Sequence, residues 1–210
     1  MGKIMFTEKQ IEELNVAFKD ASPAEIIKKA FELSGDAVVT TNFRPYEAAI
    51  LHAVSAVEAD IPVVWCDTGY NTPQTYRHAE QVIKELNLNV FLYVPKQTSA
   101  HRDVVLGIPS IDTPEHDLFT EQVKLEPFRR AMEEHQPKVW FTNLRQGQTA
   151  FRNSIGVFSL SKDGVLKVSP FYYWADDKLD MYLEKHNLPN EFKYFDPTKA
   201  LANRECGLHA

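Results

Sequence analysis

Arg145 and Arg152 stand seven residues apart with Gln148 between them, in the stretch Leu144-Arg145-Gln146-Gly147-Gln148-Thr149-Ala150-Phe151-Arg152. Two guanidiniums at that spacing, on a loop or helix start, can close on a sulfate or phosphate through paired hydrogen bonds. They also fit two solvated surface arginines. Asp67-Thr68-Gly69-Tyr70 offers a carboxylate able to accept from ribose hydroxyls or an adenine amine, or equally one that caps a turn at Gly69. Thr40-Thr41-Asn42-Phe43-Arg44 supplies hydroxyl and amide donors and one cation. It can bind an anion or be an ordinary strand-to-helix turn. Cys206 lies among polar residues, near Arg204 and His209, and its thiolate becomes reactive if neighbouring cations lower its pKa. No second cysteine is near it, so a redox cycle at Cys206 requires an outside thiol. Cys66 sits in an apolar stretch and reads as an inert core thiol. The seven histidines show no close metal-ligand spacing, and His52 and His78 fall inside predicted helices.

These groups need a frame. Ser22-Pro23-Ala24-Glu25 combines a capping serine, an early proline and a glutamate three residues after the cap, which predicts a helix over Ala24–Leu33 with Gly35 as a left-handed cap. Thr7 with Gln10 predicts an earlier helix through Phe18. Residues 37–41, 61–66, 89–94 and 139–142 are short, apolar and β-branched or aromatic, as buried strands are. Helices are predicted between them at 46–57, from Thr72-Pro73 to about Leu86, and at 126–135. Two short strands within 157–168 flank the turn Lys162-Asp163-Gly164. A last helix covers about 175–186, and Phe171-Tyr172-Tyr173-Trp174 reads as core or interface. Arg129-Arg130 reads as an exposed helix face. Strands alternating with helices imply an α/β fold with a doubly wound, mostly parallel sheet. In that architecture ligands bind beyond the carboxyl ends of the strands, where the three candidate segments fall. The predicted organisation is a nucleotide-binding domain over residues 1–188 and a polar, mobile C-terminal arm over 189–210.

Composition limits the function classes. The chain has 210 residues, 44% hydrophobic and 25% charged, which excludes a wholly disordered protein. No apolar run approaches the roughly 18 residues of a membrane span, and no signal-peptide core opens the sequence, so a cytoplasmic protein is expected. The net charge of −6 argues against general nucleic-acid binding. Two cysteines cannot build a disulfide framework or a four-thiolate metal site.

The same residues resemble the phosphoadenosine phosphosulfate (PAPS) reductases of assimilatory sulfate reduction. Glu205-Cys206-Gly207-Leu208-His209 is the most specific match. Asp67-Thr68-Gly69-Tyr70 followed by Pro73, Thr75, Tyr76 and Arg77 resembles that family's second-strand motif. Lys124, Glu126-Pro127, Arg130-Ala131, Trp140-Phe141, Leu144-Arg145, Gln148 and Arg152 fall in its order, over about residues 22–209 in all. The resemblance implies an adenine-nucleotide alpha-hydrolase-like fold with a modified pyrophosphate loop, in a homodimer. It implies that Cys206 attacks the sulfonate sulfur of PAPS, releasing adenosine 3′,5′-bisphosphate, and that thioredoxin or glutaredoxin frees sulfite from the S-sulfonate. Thr41, Asn42 and Phe43 would form the phosphate loop, Asp67, Thr68 and Gly69 border the nucleotide, and Arg145, Gln148, Arg152 and His209 contact the substrate. No bound cofactor is implied. Cluster-containing relatives carry paired cysteines that this sequence lacks, so an iron–sulfur cluster is not expected.

Three departures stand out. Arg44-Pro45 replaces the glycine after the loop phenylalanine, Asn143 and Gln146 replace a glycine and an arginine, and the segment before the terminal motif is short. They motivate a second reading of another class, a non-catalytic adenine-nucleotide-binding dimeric protein of the same fold. An ATP pyrophosphatase fits less well, because no Ser-Gly-Gly-Lys-Asp-Ser loop is present.

Overall fold

The computed structural model describes residues 6–111 and 113–199. Their elements follow in the order α1 (Glu8–Ala17), α2 (Pro23–Leu33), β1 (Ala37–Thr41), α3 (Glu47–Ser55), β2 (Pro62–Cys66), α4 (Pro73–Leu86), β3 (Asn89–Tyr93), α5 (Ser99–Val105) and α6 (Pro114–Thr120). A π-helical turn, Glu121–Leu125, runs into α7 (Glu126–His135). Then come β4 (Val139–Phe141), a 3-10 turn at Phe151–Ser154, β5 (Phe158–Leu160), β6 (Leu166–Val168) and α8 (Asp176–Lys185).

Local chemistry sets most of the boundaries. Thr7 and Ser22 each cap a helix with the side-chain oxygen, and their own amides donate in return to the Gln10 and Glu25 side chains, closing both predicted capping boxes. Thr72 caps α4, with Pro73 at its first position, and Asn87 ends it in the left-handed region. Gly35 does not act as the left-handed cap expected of it. The helix closes at Ser34 in extended conformation (φ −164°) and Gly35 has no positive φ. An extended exit sends the chain straight into β1, two residues later, where a left-handed turn would reverse it.

The six strands form one sheet in the order β3-β2-β1-β4-β6-β5. All pairs are parallel except the β5–β6 hairpin, whose turn places Gly164 at φ +78°. Successive residues of β1 serve opposite faces, as the two-residue period of a strand requires. Val39, with Val63, Trp65 and Phe141, packs under α2, α3, α4 and α8; Val38, with Val64, Cys66 and Trp140, packs under α7. The chain runs outward from β1 to β3 and returns to β4 on the other side of β1. The carboxyl ends of β1 and β4 therefore flank the switch point of the sheet.

Helices α5 and α6 and the π-helical turn have no counterpart among the predicted elements. Two are only seven residues long, too short to show an apolar period, although Thr98 and Thr113 cap them as Thr72 caps α4.

Candidate functional site

At the switch point lies a cleft lined by the end of β1 (Thr40, Thr41, Asn42, Arg44), the end of β4 (Trp140, Thr142, Asn143), and Cys66, Lys124 and Arg152. Tyr194, Asp196 and Lys199 of the C-terminal segment complete the wall, and the free volume left inside is about 70 Å³. Four cations meet two carboxylates here: Arg44, Lys124, Arg152 and Lys199 against Glu47 and Asp196.

The loop after β1 was open to two readings, an anion site or an ordinary strand-to-helix turn, and the family resemblance implied a phosphate loop there. The structure fills it with the protein's own anion. Glu47, buried with 4% of its surface exposed, is the first residue of α3. Its Oε2 accepts from the Thr41 hydroxyl (2.8 Å), the Asn42 amide (2.8 Å) and the Arg44 amide (3.4 Å), while Oε1 accepts from Arg44 Nε at 2.7 Å. The Phe43 amide donates to Thr41 Oγ1. Phe43 adopts φ +51° and packs edge-on against Trp65, and Tyr46 adopts φ +68°. Lacking glycine, the loop satisfies its donors with a carboxylate at the positive end of a helix.

At the end of β2, Asp67 receives the Gly69 amide (2.9 Å), the Asn71 side chain (2.9 Å) and the Tyr76 hydroxyl (3.1 Å). This is the turn role that stood beside the nucleotide role for this residue. The hydroxyl of Tyr76 is pushed up to about 12 by burial and by that carboxylate. Thr68 accepts from the Tyr70 amide, and Gly69 sits at φ +80°. None of these three lines the cleft.

Arg145 and Arg152 do not converge. Gly147, at φ +84°, reverses the chain between them. Arg145 turns outward to Asp176 (2.6 Å) and the Trp174 carbonyl, with its guanidinium over the Tyr46 ring. Arg152 is buried, turns into the cleft, and donates to Gln148 Oε1, which also accepts the Arg145 amide. Gln148 thus links the two arginines from behind the cleft wall. Thr41, Asn42 and Arg152 are the sequence candidates that line the cleft; Phe43, Asp67, Thr68, Gly69, Arg145 and Gln148 stand behind it or to one side. Cys206 and His209 lie outside the described residues.

Lys124 and Asp196 are cleft residues that were not among the site candidates, although Lys124 falls in the run that resembles the family. Lys124, its side chain 3% exposed, projects from the π-helical turn, a distortion common at functional sites. It pairs with Asp196 at 2.5 Å and reaches Thr198 Oγ1 at 3.3 Å. No spacing rule finds this pair, because 72 residues separate its members. Asp196 is held below the usual carboxylate range: the Lys124 charge and hydrogen bonds from Lys124 and Thr198 outweigh the desolvation that raises it. Cys66 lines the same cleft, but burial pushes its thiol up to about 12, which keeps it protonated and agrees with an inert reading.

The segment at 190–199, part of the predicted C-terminal arm, lies against the domain and over the cleft in this structure. Asn190 accepts the Tyr46 amide at 2.9 Å, and Phe192 packs edge-on against Tyr46. The Lys193 carbonyl accepts from the hydroxyls of Thr72 (2.6 Å) and Thr75 (3.2 Å). The segment crosses the carboxyl end of the sheet as a strap. Arg130, read as exposed, is half-buried between Glu126, the Val94 carbonyl and the Tyr93 ring, whereas Arg129 is exposed and pairs with Glu121.

A six-stranded, mostly parallel sheet with helices on both faces and a cleft at the β1/β4 switch point is a doubly wound α/β fold. Solved structures share this fold at low identity. They include a U34-tRNA thiolase from Methanococcus maripaludis (TM-score 0.57, 10% identity, 86% of this chain and 67% of that one). An NH3-dependent NAD synthetase from Campylobacter jejuni is another (TM-score 0.56, 9% identity, 87% and 76%). A PAPS reductase from Candida auris, solved as a phosphate complex, superposes with a TM-score of 0.79 over 90% of this chain and 91% of its own, at 24% identity.

Sequence comparison is more specific. Residues 36–195 match the phosphoadenosine phosphosulfate reductase domain. A phosphoadenosine 5′-phosphosulfate reductase from Synechococcus sp. is 31% identical over 180 residues, 84% of this chain and 77% of the relative. One from Xylella fastidiosa is 33% identical over 186 residues, 85% and 76%. The chain belongs to the phosphoadenosine phosphosulfate reductase family.

Proposed function

We propose that the protein reduces 3′-phosphoadenylyl sulfate to sulfite and adenosine 3′,5′-bisphosphate. The observation that carries this reading is the strap, which joins the cationic cleft to the chain leading to Cys206. Lys199 lines the cleft seven residues before that cysteine. Seven residues span at most about 25 Å, so the thiol's search is confined to the neighbourhood of the cleft.

In this reading the Cys206 thiolate attacks the sulfonate sulfur, the bond from sulfur to the bridging phosphate oxygen breaks, and adenosine 3′,5′-bisphosphate leaves with that electron pair. Cys206 then carries an S-sulfonate. A thiolate of reduced thioredoxin or glutaredoxin attacks its Sγ, sulfite departs, and the second donor thiol closes the donor's disulfide, which accounts for two electrons. Arg152, Lys124 and Lys199 supply positive charge for the phosphate and sulfonate oxygens. Thr41 and Asn42 face the ligand from β1. Phe43, Asp67, Thr68, Gly69, Arg145 and Gln148 support the cleft from behind, and His209 accompanies Cys206. The working protein is read as a homodimer with no bound cofactor.

The test is mass spectrometry after incubation with PAPS. A sulfonate adduct on Cys206, absent in Cys206→Ser, is expected, and no adduct on the wild type refutes the mechanism. Glu47 favours a second reading. Its carboxylate takes loop donors that a substrate phosphate would use, so the altered loop suits a protein that binds the nucleotide through other groups of the cleft and does not reduce it. Nucleotide binding without sulfite release would select it.

A further inference from the structure

The cleft as it stands cannot admit a nucleotide. Its free volume is about 70 Å³, against roughly 300–1,000 Å³ for sites that hold small molecules. Tyr194, Asp196 and Lys199 form part of its wall, so a shift of the strap is what would open the cleft to a larger ligand. Neutral anchors of the strap include the Tyr46–Asn190 bond, the Phe192 ring contact and the threonine bonds to the Lys193 carbonyl. Asp196 on Lys124 is an ionic anchor, with Thr198 hydrogen-bonded to both.

With the strap in place the Lys124 side chain is 3% exposed and Asp196 is its counter-ion; when Asp196 leaves, the ammonium lining the cleft loses that counter-ion, and an incoming oxyanion supplies another. Glu47 cannot make the same exchange. Its four hydrogen bonds come from its own loop and it is built into α3, whereas Asp196 sits on a segment held by a few contacts.

We propose that Asp196 is a stand-in anion: it occupies the place at Lys124 that an oxyanion of the ligand takes, and ligand binding exchanges one for the other. The resting cleft is then self-neutralised, and the exchange couples ligand entry to release of the strap. The proposal rests on reading the cleft as the nucleotide site.

Asp196→Asn keeps the shape and removes the charge. Calorimetric titration with adenosine 3′,5′-bisphosphate is expected to show binding about tenfold tighter in this variant than in the wild type, because the competing charge is gone. Sulfate, titrated separately, is also expected to bind more tightly to Asp196→Asn, whatever the cleft does with nucleotides. Gain for sulfate with no nucleotide binding in either protein upholds the exchange and overturns the nucleotide reading. Equal or weaker binding of both probes in Asp196→Asn overturns the exchange. Hydrogen exchange on the wild type decides independently if the variant does not fold. The amides of residues 193–199 should exchange faster when adenosine 3′,5′-bisphosphate saturates the cleft; unchanged or slower exchange refutes release of the strap.

Discussion

Glu47→Gln probes the interaction that most distinguishes this site. The carboxylate accepts four hydrogen bonds, two from loop amides, one from a hydroxyl and one from the Arg44 guanidinium. Glutamine keeps the length but offers a single oxygen. If that oxygen serves Thr41 and Asn42, the new NH2 faces Arg44 Nε, donor against donor. Hydrogen bonds to charged groups contribute about 1.5–3 kcal/mol each, and breaking a buried pair costs about 3–5 kcal/mol. Arg44 is partly exposed, with 24% of its side-chain surface accessible, so solvent screens part of that cost. A loss of about 3 kcal/mol is expected. For a chain of this size that lowers the melting temperature by about 6–12 °C. Urea unfolding of Glu47→Gln, Arg44→Met and the double variant closes a thermodynamic cycle, and the pair should couple by more than about 1 kcal/mol. A single-variant loss below about 1 kcal/mol, or additive variants, would refute the view that this carboxylate holds the loop.

Three further outcomes follow from other parts of the molecule. Gly156→Ala places a Cβ 2.8 Å from Asn15 Oδ1 at a φ of +82°. Because Asn15 bonds both the amide and the carbonyl of Phe158 on the edge strand β5, a loss of about 2 kcal/mol is expected in thermal melts; an unchanged melting temperature contradicts the packing. Cys66, with its thiol pushed up to about 12, should be alkylated at pH 8 at least about a thousandfold more slowly than an ordinary thiol near 8.5. Peptide mapping that finds Cys66 labelled at an ordinary rate defeats that assignment. Burial lowers the pKa of His52 and His78 below the usual histidine value. The unfolded chain therefore takes up protons first as pH falls through about 6.5, so stability is full above that value and declines below it. Urea midpoints at pH 7.5 and 5.5 should differ in that sense, with a smaller difference in His78→Gln.

The frame was largely readable because its signals are local. The capping boxes at Thr7 and Ser22, the Thr72-Pro73 helix start and the turn before Gly164 each depend on residues within a few positions of one another. The strand segments showed themselves by β-branched, apolar runs, and their alternation with helices implied the parallel sheet. Helices α5 and α6 escaped because seven residues carry too little periodicity. Gly35 misled because left-handed capping is a tendency of glycine, and the position of β1 overrides it.

The site was less readable. Thr41, Asn42 and Arg152 follow from where strands end in such a sheet. The convergence expected of Arg145 and Arg152 failed because proximity in sequence says nothing about direction once Gly147 reverses the chain. Composition marked the C-terminal segment as an arm but not its partners: Asn190, Phe192 and Lys193 meet Tyr46, Thr72 and Thr75, contacts that no local pattern announces.

What the sequence determined by itself was the alternation of strands with the longer helices, the family, and the residue types near the strand ends, since each is written in short-range pattern or motif. The tertiary structure alone decided which charges meet. Lys124 meets Asp196 across 72 residues of chain, and Arg152 rather than Arg145 lines the cleft, whereas Glu47 closes on a loop only three to six residues before it. A charge's effect depends on its burial and its partner, and both are properties of the packed fold.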